Sequence, residues 1–193
     1  ADPASENDFG KNIIPKMLAD GQKMVAYRFS GYWKDVGTLE SLWDANMDML
    51  SPDSGLDLLD ERWPIYARAI SMPTAYLGAS SHVTHSAFNR GSELEGTVEN
   101  SVLSQGVNVA EGALVSYSVL LPGVQVEAGA EIRYAILGEG CHVGRDCKIG
   151  AAPEDTPPLD WGLTVLAPGC QLKDGRVVPA KTMLNKHGEE VQR

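Results

Sequence analysis

The strongest constraint on the fold is a 17-residue period between Val98 and Ile149. At that lag Val98, Val115, Ile132 and Ile149 align, as do Leu103, Leu120 and Leu137, and Val109, Val126 and Val143. Gly106, Gly123 and Gly140 keep the same lag, and so do Gly112 and Gly129. A small residue follows the first aliphatic of each unit by three positions: Ser101, Ser118 and Ala135. A fixed internal period marks a stacked repeat. Inside each unit the aliphatics step by 5, 6 and 6, a rhythm that no helix of 3.6 residues per turn produces. The pattern predicts a parallel β-helix of hexapeptide repeats, three short strands to a coil. Each aliphatic points inward and stacks on the coil below at ~4.8 Å. The glycines serve the tight turns between strands.

Composition excludes several classes. The 193 residues carry 26 acidic and 16 basic side chains, a net charge of −10. Phosphate-backbone binding needs clustered Lys and Arg, so nucleic acid is not an expected partner. No apolar run approaches the 18 residues a membrane-spanning helix needs. The first residues, Ala1 to Asn7, have neither the basic region nor the apolar core of a signal peptide. Cys141, Cys147 and Cys170 are too few and too oddly spaced for a disulfide framework or a zinc site, and buried or half-buried thiols in a reducing cytoplasm are expected. The chain does not start with Met and opens like the middle of a loop, as a piece of a longer protein would.

In chain order, Asp8 is expected to cap a first helix whose apolar face is Ile13, Ile14, Met17 and Leu18, with Pro15 in its first turn and Gly21 as its stop. Met24 to Phe29 reads as a strand. Thr38 is expected to cap a second helix, with Leu39, Leu42, Trp43, Asn46, Met47 and Leu50 on one side. Residues 53–75 read as an ordered linker with Trp63 as its packing anchor. The β-helix is expected over 76–182. Its first coil is irregular, because Val83, Phe88, Leu94 and Val98 step by 5, 6 and 4, as capping coils often do. Ala151 to Trp161 reads as a loop extruded from the stack. Residues 183–193 are expected to be a polar, frayed tail.

The chemical signal lies in Tyr32-Trp33-Lys34-Asp35-Val36-Gly37-Thr38. A carboxylate at a strand end, just before a helix, is where an α/β domain places a metal or phosphate ligand. An ordinary strand-turn-helix corner, with Asp35 bonded to backbone, is the alternative.

These residues, together with Asp8-Phe9-Gly10-Lys11-Asn12-Ile13-Ile14-Pro15, Trp43-Asp44-Ala45-Asn46-Met47-Asp48 and Arg62-Trp63-Pro64-Ile65 ahead of hexapeptide coils, resemble the C-terminal part of the bacterial glucose-1-phosphate adenylyltransferases. The Trp-x-Asp-x-Gly-Thr element is general to sugar nucleotidyltransferases. The Asp-Phe-Gly-Lys opening and the Arg-Trp-Pro-Ile stretch narrow the resemblance to this family. It implies that 1–52 is the α/β tail of a Rossmann-like nucleotidyltransferase domain, and that the β-helix behind it is left-handed.

The resemblance further implies a Mg²⁺-dependent coupling of ATP and glucose 1-phosphate to ADP-glucose and pyrophosphate. In it Asp35 is the catalytic metal ligand, and Trp33 and Lys11 lie at the substrate. It also implies a cytoplasmic homotetramer, or a mixed tetramer with a paralogue. The family's regulatory sites use basic residues, and Arg133, Arg145 and Lys148 are the candidates here. The glycine-rich nucleotide loop, the first metal-binding aspartate and the sugar-binding glutamate-lysine pair have no counterpart in this sequence. The 193 residues alone are therefore expected to be inactive. Two other classes remain open. One is a non-catalytic regulatory paralogue, against which the presence of Trp33 and Asp35 counts. The other is a hexapeptide acyltransferase, in which a histidine such as His82, His85 or His142 would act as general base.

Overall fold

A computed structural model describes residues 5–58, 60–62, 64–66, 71–155 and 161–192. The chain divides into two compact units, Ala1–Gly31 and Tyr32–Arg193.

In the first unit, Asp8 Oδ1 accepts from the Lys11 amide at 2.7 Å and so fills the capping role expected of it. A π-helical turn, Phe9–Ile13, runs into helix α1, Ile14–Ala19, with Pro15 in its first turn. Gly21 takes φ +68 and the chain closes on itself, with Gln22 N donating to Met17 O and Gly21 N to Leu18 O. This pair of bonds is the Schellman stop, which needs a left-handed residue where Gly stands. The strand expected at Met24 to Phe29 is absent. Its side chains are open, Val25 at 84% and Tyr27 at 89% of full exposure. A β-strand is held by a neighbour's ladder, and among the described residues none pairs with this segment.

The second unit is built on the parallel β-helix. Three six-stranded parallel sheets form its faces. Face one stacks Tyr76–Leu77, Glu93–Leu94, Asn108–Val109, Gln125–Val126, His142–Val143 and Gln171–Leu172. Face two stacks His82–Thr84, Thr97–Glu99, Leu114–Ser116, Glu131–Arg133, Lys148–Ile149 and Val177–Val178. Face three stacks Ala87–Phe88, Val102–Leu103, Val119–Leu120, Ala135–Leu137, Thr164–Leu166 and Met183–Leu184.

The register is the one the sequence period predicts. Val98, Val115, Ile132 and Ile149 are successive partners on face two. Val109, Val126 and Val143 are partners on face one, and Leu103, Leu120 and Leu137 on face three. All are buried in one continuous core. The irregular first coil also stands: Val83 pairs with Val98, Phe88 with Leu103 and Leu94 with Val109, fifteen positions on in each case. Beyond Ile149 the lag lengthens, with Leu137 on Leu166 and Val143 on Leu172. The chain between is the extruded loop. Its base is closed by Trp161 Nε1 donating to Ala151 O at 3.0 Å.

The small-residue row has a specific cause. At the corner from face two to face three, His85, Asn100, Tyr117 and Tyr134 all take φ between 45 and 48. The next residue of each of the first three corners is a serine. Ser101 Oγ donates to Glu99 O at 2.7 Å and accepts from Ser118 N on the next coil at 3.0 Å. Ser118 Oγ repeats this with Ser116 O and Ala135 N. Each hydroxyl satisfies a backbone donor of the next coil, Ser118 N or Ala135 N, and donates to a carbonyl that also accepts from the corner residue of that coil. These bonds offset the ~1–2 kcal/mol that a non-glycine αL residue costs.

One expectation about the second unit needs correction. The tail is not frayed from 183 onward. Met183–Leu184 is the last strand of face three, and Val191 N then donates to Met183 O at 2.9 Å as the chain doubles back over the end of the stack. Leu184 is 3% exposed, so its burial anchors what the polar composition of the tail conceals. The segment from Tyr32 to residue 52 belongs to the second compact unit, where helix α2, Leu39–Asp48, packs on the β-helix. Trp63, the expected linker anchor, lies outside the described residues, as do Pro157 and Pro158 of the loop.

Candidate functional site

Helix α2, Leu39–Asp48, positions the candidate site. Thr38 Oγ1 accepts from Ser41 N and Ser41 Oγ accepts from Thr38 N, a reciprocal capping box. The apolar side of α2, with Leu39, Leu42, Trp43 and Met47, packs on Val119, Ile136, Leu163 and Val165. Val119, Ile136 and Val165 are the outward residues of face three, alternating with inward Leu120, Leu137 and Leu166. Trp43 Nε1 donates to Tyr117 O at 2.8 Å, and the Tyr134 ring lies between those of Tyr117 and Trp43 at 4.7 and 6.1 Å.

The segment before α2 has no regular secondary structure, and its burial alternates over four residues: Tyr32 and Lys34 are half-buried, Trp33 and Asp35 exposed. Tyr32 and Lys34 turn inward and both meet Asp48. The Tyr32 hydroxyl donates to Asp48 Oδ2 at 2.9 Å and Lys34 Nζ donates to the same oxygen at 2.7 Å. Lys34 Nζ also lies 3.6 Å from Asp44 Oδ2, so the ammonium sits between two carboxylates one helical turn apart. The hydrogen bond from Lys34 holds the Asp48 carboxyl below its ordinary pKa, and the same bond raises that of Lys34. Partial desolvation, followed by the Asp48 contact, raises the Tyr32 phenol.

Trp33 and Asp35 therefore face outward. Trp33 is 71% exposed. The Asp35 carboxylate is exposed and engages no hydrogen bond or ion pair among the described residues. This differs from the ordinary corner in which it would bond to backbone. An unpaired carboxylate beside an open indole can accept a cation and offer a stacking face to a ring. No group of three His, Cys, Asp or Glu that could hold a metal occurs among the described residues. Mg²⁺ is commonly held by one or two carboxylates with phosphate and water completing the shell. Asp35 fits one such ligand.

The other candidates are dispersed. Lys11 lies in the first unit, its ammonium 3.7 Å from Glu6 Oε2, and lines a concavity of about 540 Å³ there. Arg133 and Lys148 share Glu131 on face two at 3.6 and 3.9 Å. Arg145 is in a turn, its backbone N–H on Asp174 Oδ1 at 2.9 Å, and does not join that pair. Each is an exposed surface pair of small energetic weight. Of the histidines, His142 points outward as expected and lies 3.2 Å from Glu127 Oε1. His85 lies between Leu50 O and Asn100 Oδ1 at 2.9 and 2.8 Å. The three cysteines are free and buried, as expected.

Sequence reasoning passed over Asp48. The signal was available: Tyr32 and Lys34 share a parity, and Asp44 and Asp48 are i,i+4 on the following helix.

Comparison with known proteins supports the motif-based resemblance. Residues 1–52 match the nucleotidyl transferase family model, and residues 72–157 match the model of the GlmU-like, C-terminal hexapeptide family. A glucose-1-phosphate adenylyltransferase of Clostridium botulinum (strain Alaska E43 / Type E3) is 56% identical over 154 residues, 80% of this chain and 40% of that protein. One from Clostridium beijerinckii is 48% identical over 178 residues, 92% of this chain and 44% of that protein. One from Clostridium perfringens (strain SM101 / Type A) is 54% identical over 114 residues, 59% of this chain and 29% of that protein. The chain is a relative of these enzymes and spans less than half of their length.

Proposed function

We propose that the protein carrying this chain is a glucose-1-phosphate adenylyltransferase, forming ADP-glucose and pyrophosphate from ATP and glucose 1-phosphate for glycogen synthesis. The observation that carries this reading is the outward pair Trp33 and Asp35, fixed ahead of α2 in a chain 56% identical over 154 residues to such an enzyme. Asp35 would hold Mg²⁺, which neutralises charge on the reacting phosphates. Trp33 would lie along the sugar, and Lys11 would contribute a positive charge to the substrate. The sugar phosphate oxygen attacks the α-phosphate of ATP, the bond to pyrophosphate breaks, and no covalent enzyme intermediate is needed. Positioning and charge stabilisation supply the catalysis.

On this reading the β-helix serves assembly and regulation. Tyr76–Leu77, His82–Thr84 and Ala87–Phe88 are edge strands of the three sheets among the described residues, and such edges can pair with another copy or a paralogue, in keeping with a tetramer. Arg133, Arg145 and Lys148 are candidates for contacts with an anionic effector. The three free thiols suit a reducing cytoplasm. The 193 residues alone are proposed to be inactive.

The test is pyrophosphate release by the full-length protein with glucose 1-phosphate, Mg²⁺ and each nucleoside triphosphate in turn. Release with ATP supports the reading. Release with only UTP, GTP or dTTP moves the protein to a sibling sugar nucleotidyltransferase, and no release with any nucleotide favours the regulatory paralogue.

A further inference from the structure

We propose that Asp48 is a positioning residue for the site, and that through it the β-helix sets the orientation of Trp33 and Asp35. The inference rests on the proposed reaction for its catalytic consequence, and on geometry alone for the clamp itself.

The segment 32–38 is tied to α2 at both ends. At one end Thr38 is the helix cap. At the other, Tyr32 and Lys34 share Asp48 Oδ2 in the last turn of the helix. Both bonds are partly shielded from water and both end on a carboxylate, so both are charge-assisted, the stronger class of hydrogen bond, and the one from Lys34 is charged on both sides. The side chains between them alternate, so two inward anchors force Trp33 and Asp35 onto the opposite side. Without the anchors nothing else among the described residues holds Asp35, whose carboxylate has no internal partner.

The helix is itself fixed. Four apolar side chains of α2 sit on face three, and Trp43 Nε1 is bonded to Tyr117 O. The mechanical route runs from face three to α2, from α2 to Asp48, and from Asp48 through Tyr32 and Lys34 to the exposed pair. A β-helix placed for assembly would thereby also define the catalytic wall.

Two measurements test this, and they separate the clamp from the reaction. In the 193-residue chain, backbone order parameters of Trp33 and Asp35 should be near the rigid value of about 0.85 and should fall below about 0.6 in Asp48→Ala. Tyr32→Phe, which leaves Lys34 in place, should give an intermediate loss if the alanine variant folds poorly. Unchanged order parameters in both variants overturn the inference whatever the enzyme does.

In the full-length enzyme, Asp48→Ala should raise the Mg²⁺ concentration for half-maximal rate about tenfold and lower kcat, while Asp44→Ala stays within about twofold. A folded, active Asp48→Ala enzyme with wild-type kcat and Mg²⁺ dependence also overturns it. If the wild-type protein releases no pyrophosphate, the proposed reaction falls, and the order parameters still decide the clamp.

Discussion

The indole N–H of Trp43 donates to the carbonyl oxygen of Tyr117 at 2.8 Å, joining a helix to a β-helix corner 74 residues away. Tyr117 has φ 47, one of four stacked left-handed residues at that corner. A strand residue would commit its carbonyl to the ladder; at this corner the carbonyl is available to the helix. Trp43→Phe keeps most of the apolar contact and removes the donor. Equilibrium urea unfolding should show a loss of about 1 kcal/mol, the ordinary net value of one hydrogen bond. No change in midpoint would mean the bond does not hold α2.

The register of the β-helix is tested by paired substitutions. Val126 is 2% exposed and stacks between Val109 and Val143. Val126→Asp buries a carboxylate without a partner and should cost about 4 kcal/mol or more. Asn108 is on the same sheet but faces outward. Asn108→Asp should change stability by less than about 0.5 kcal/mol. Equal effects in thermal melts would refute the assignment of inward and outward positions.

Most of the β-helix was legible because one inward aliphatic per short strand leaves a period that nothing else imitates. Two features were harder to see. Face three pairs two apolar residues per strand, Val119–Leu120 and Ile136–Leu137 among them, where face one pairs a polar residue with an aliphatic, as in Asn108–Val109 and Gln125–Val126. The extra apolar residue marks the surface that α2 covers, but a single strand of two apolar residues carries no sign of which neighbour lies outside it. Met24 to Phe29 misled for the opposite reason. Its composition is that of a strand, yet a strand is made by its neighbour, and none of the described residues supplies one. At the site, Trp33 and Asp35 were legible as a motif. Asp48 was passed over: the shared parity of Tyr32 and Lys34 and the i,i+4 spacing of Asp44 and Asp48 are in the sequence, but they converge only once the segment lies back along the helix.

Cys141 predicts an alkaline weakness. Burial pushes its thiol up to about 11 from an ordinary 9.0, and its Sγ donates to Ala167 O at 3.2 Å. Below pH 9 the thiol is neutral both folded and unfolded, and its contribution to stability is intact. Between pH 9 and 11 the unfolded chain loses the proton and the folded chain keeps it, so stability falls as pH rises. Urea titrations at pH 8 and pH 10.5 should differ by on the order of 2 kcal/mol, and Cys141→Ala should reduce that difference. At pH 7.5 a thiol reagent should label none of the three cysteines until the chain unfolds. Rapid labelling of the native protein would contradict the burial of this core.

The most direct test of the account is Asp35→Asn in the full-length protein, assayed for pyrophosphate release with ATP, glucose 1-phosphate and Mg²⁺. Asp35 is exposed and has no internal partner among the described residues, so the substitution should leave the melting temperature unchanged. Removing the carboxylate should lower kcat about 100-fold, the scale on which charge stabilisation at a reacting phosphate acts. A variant with wild-type kcat and wild-type Mg²⁺ dependence would contradict the assignment of Asp35 to the reaction.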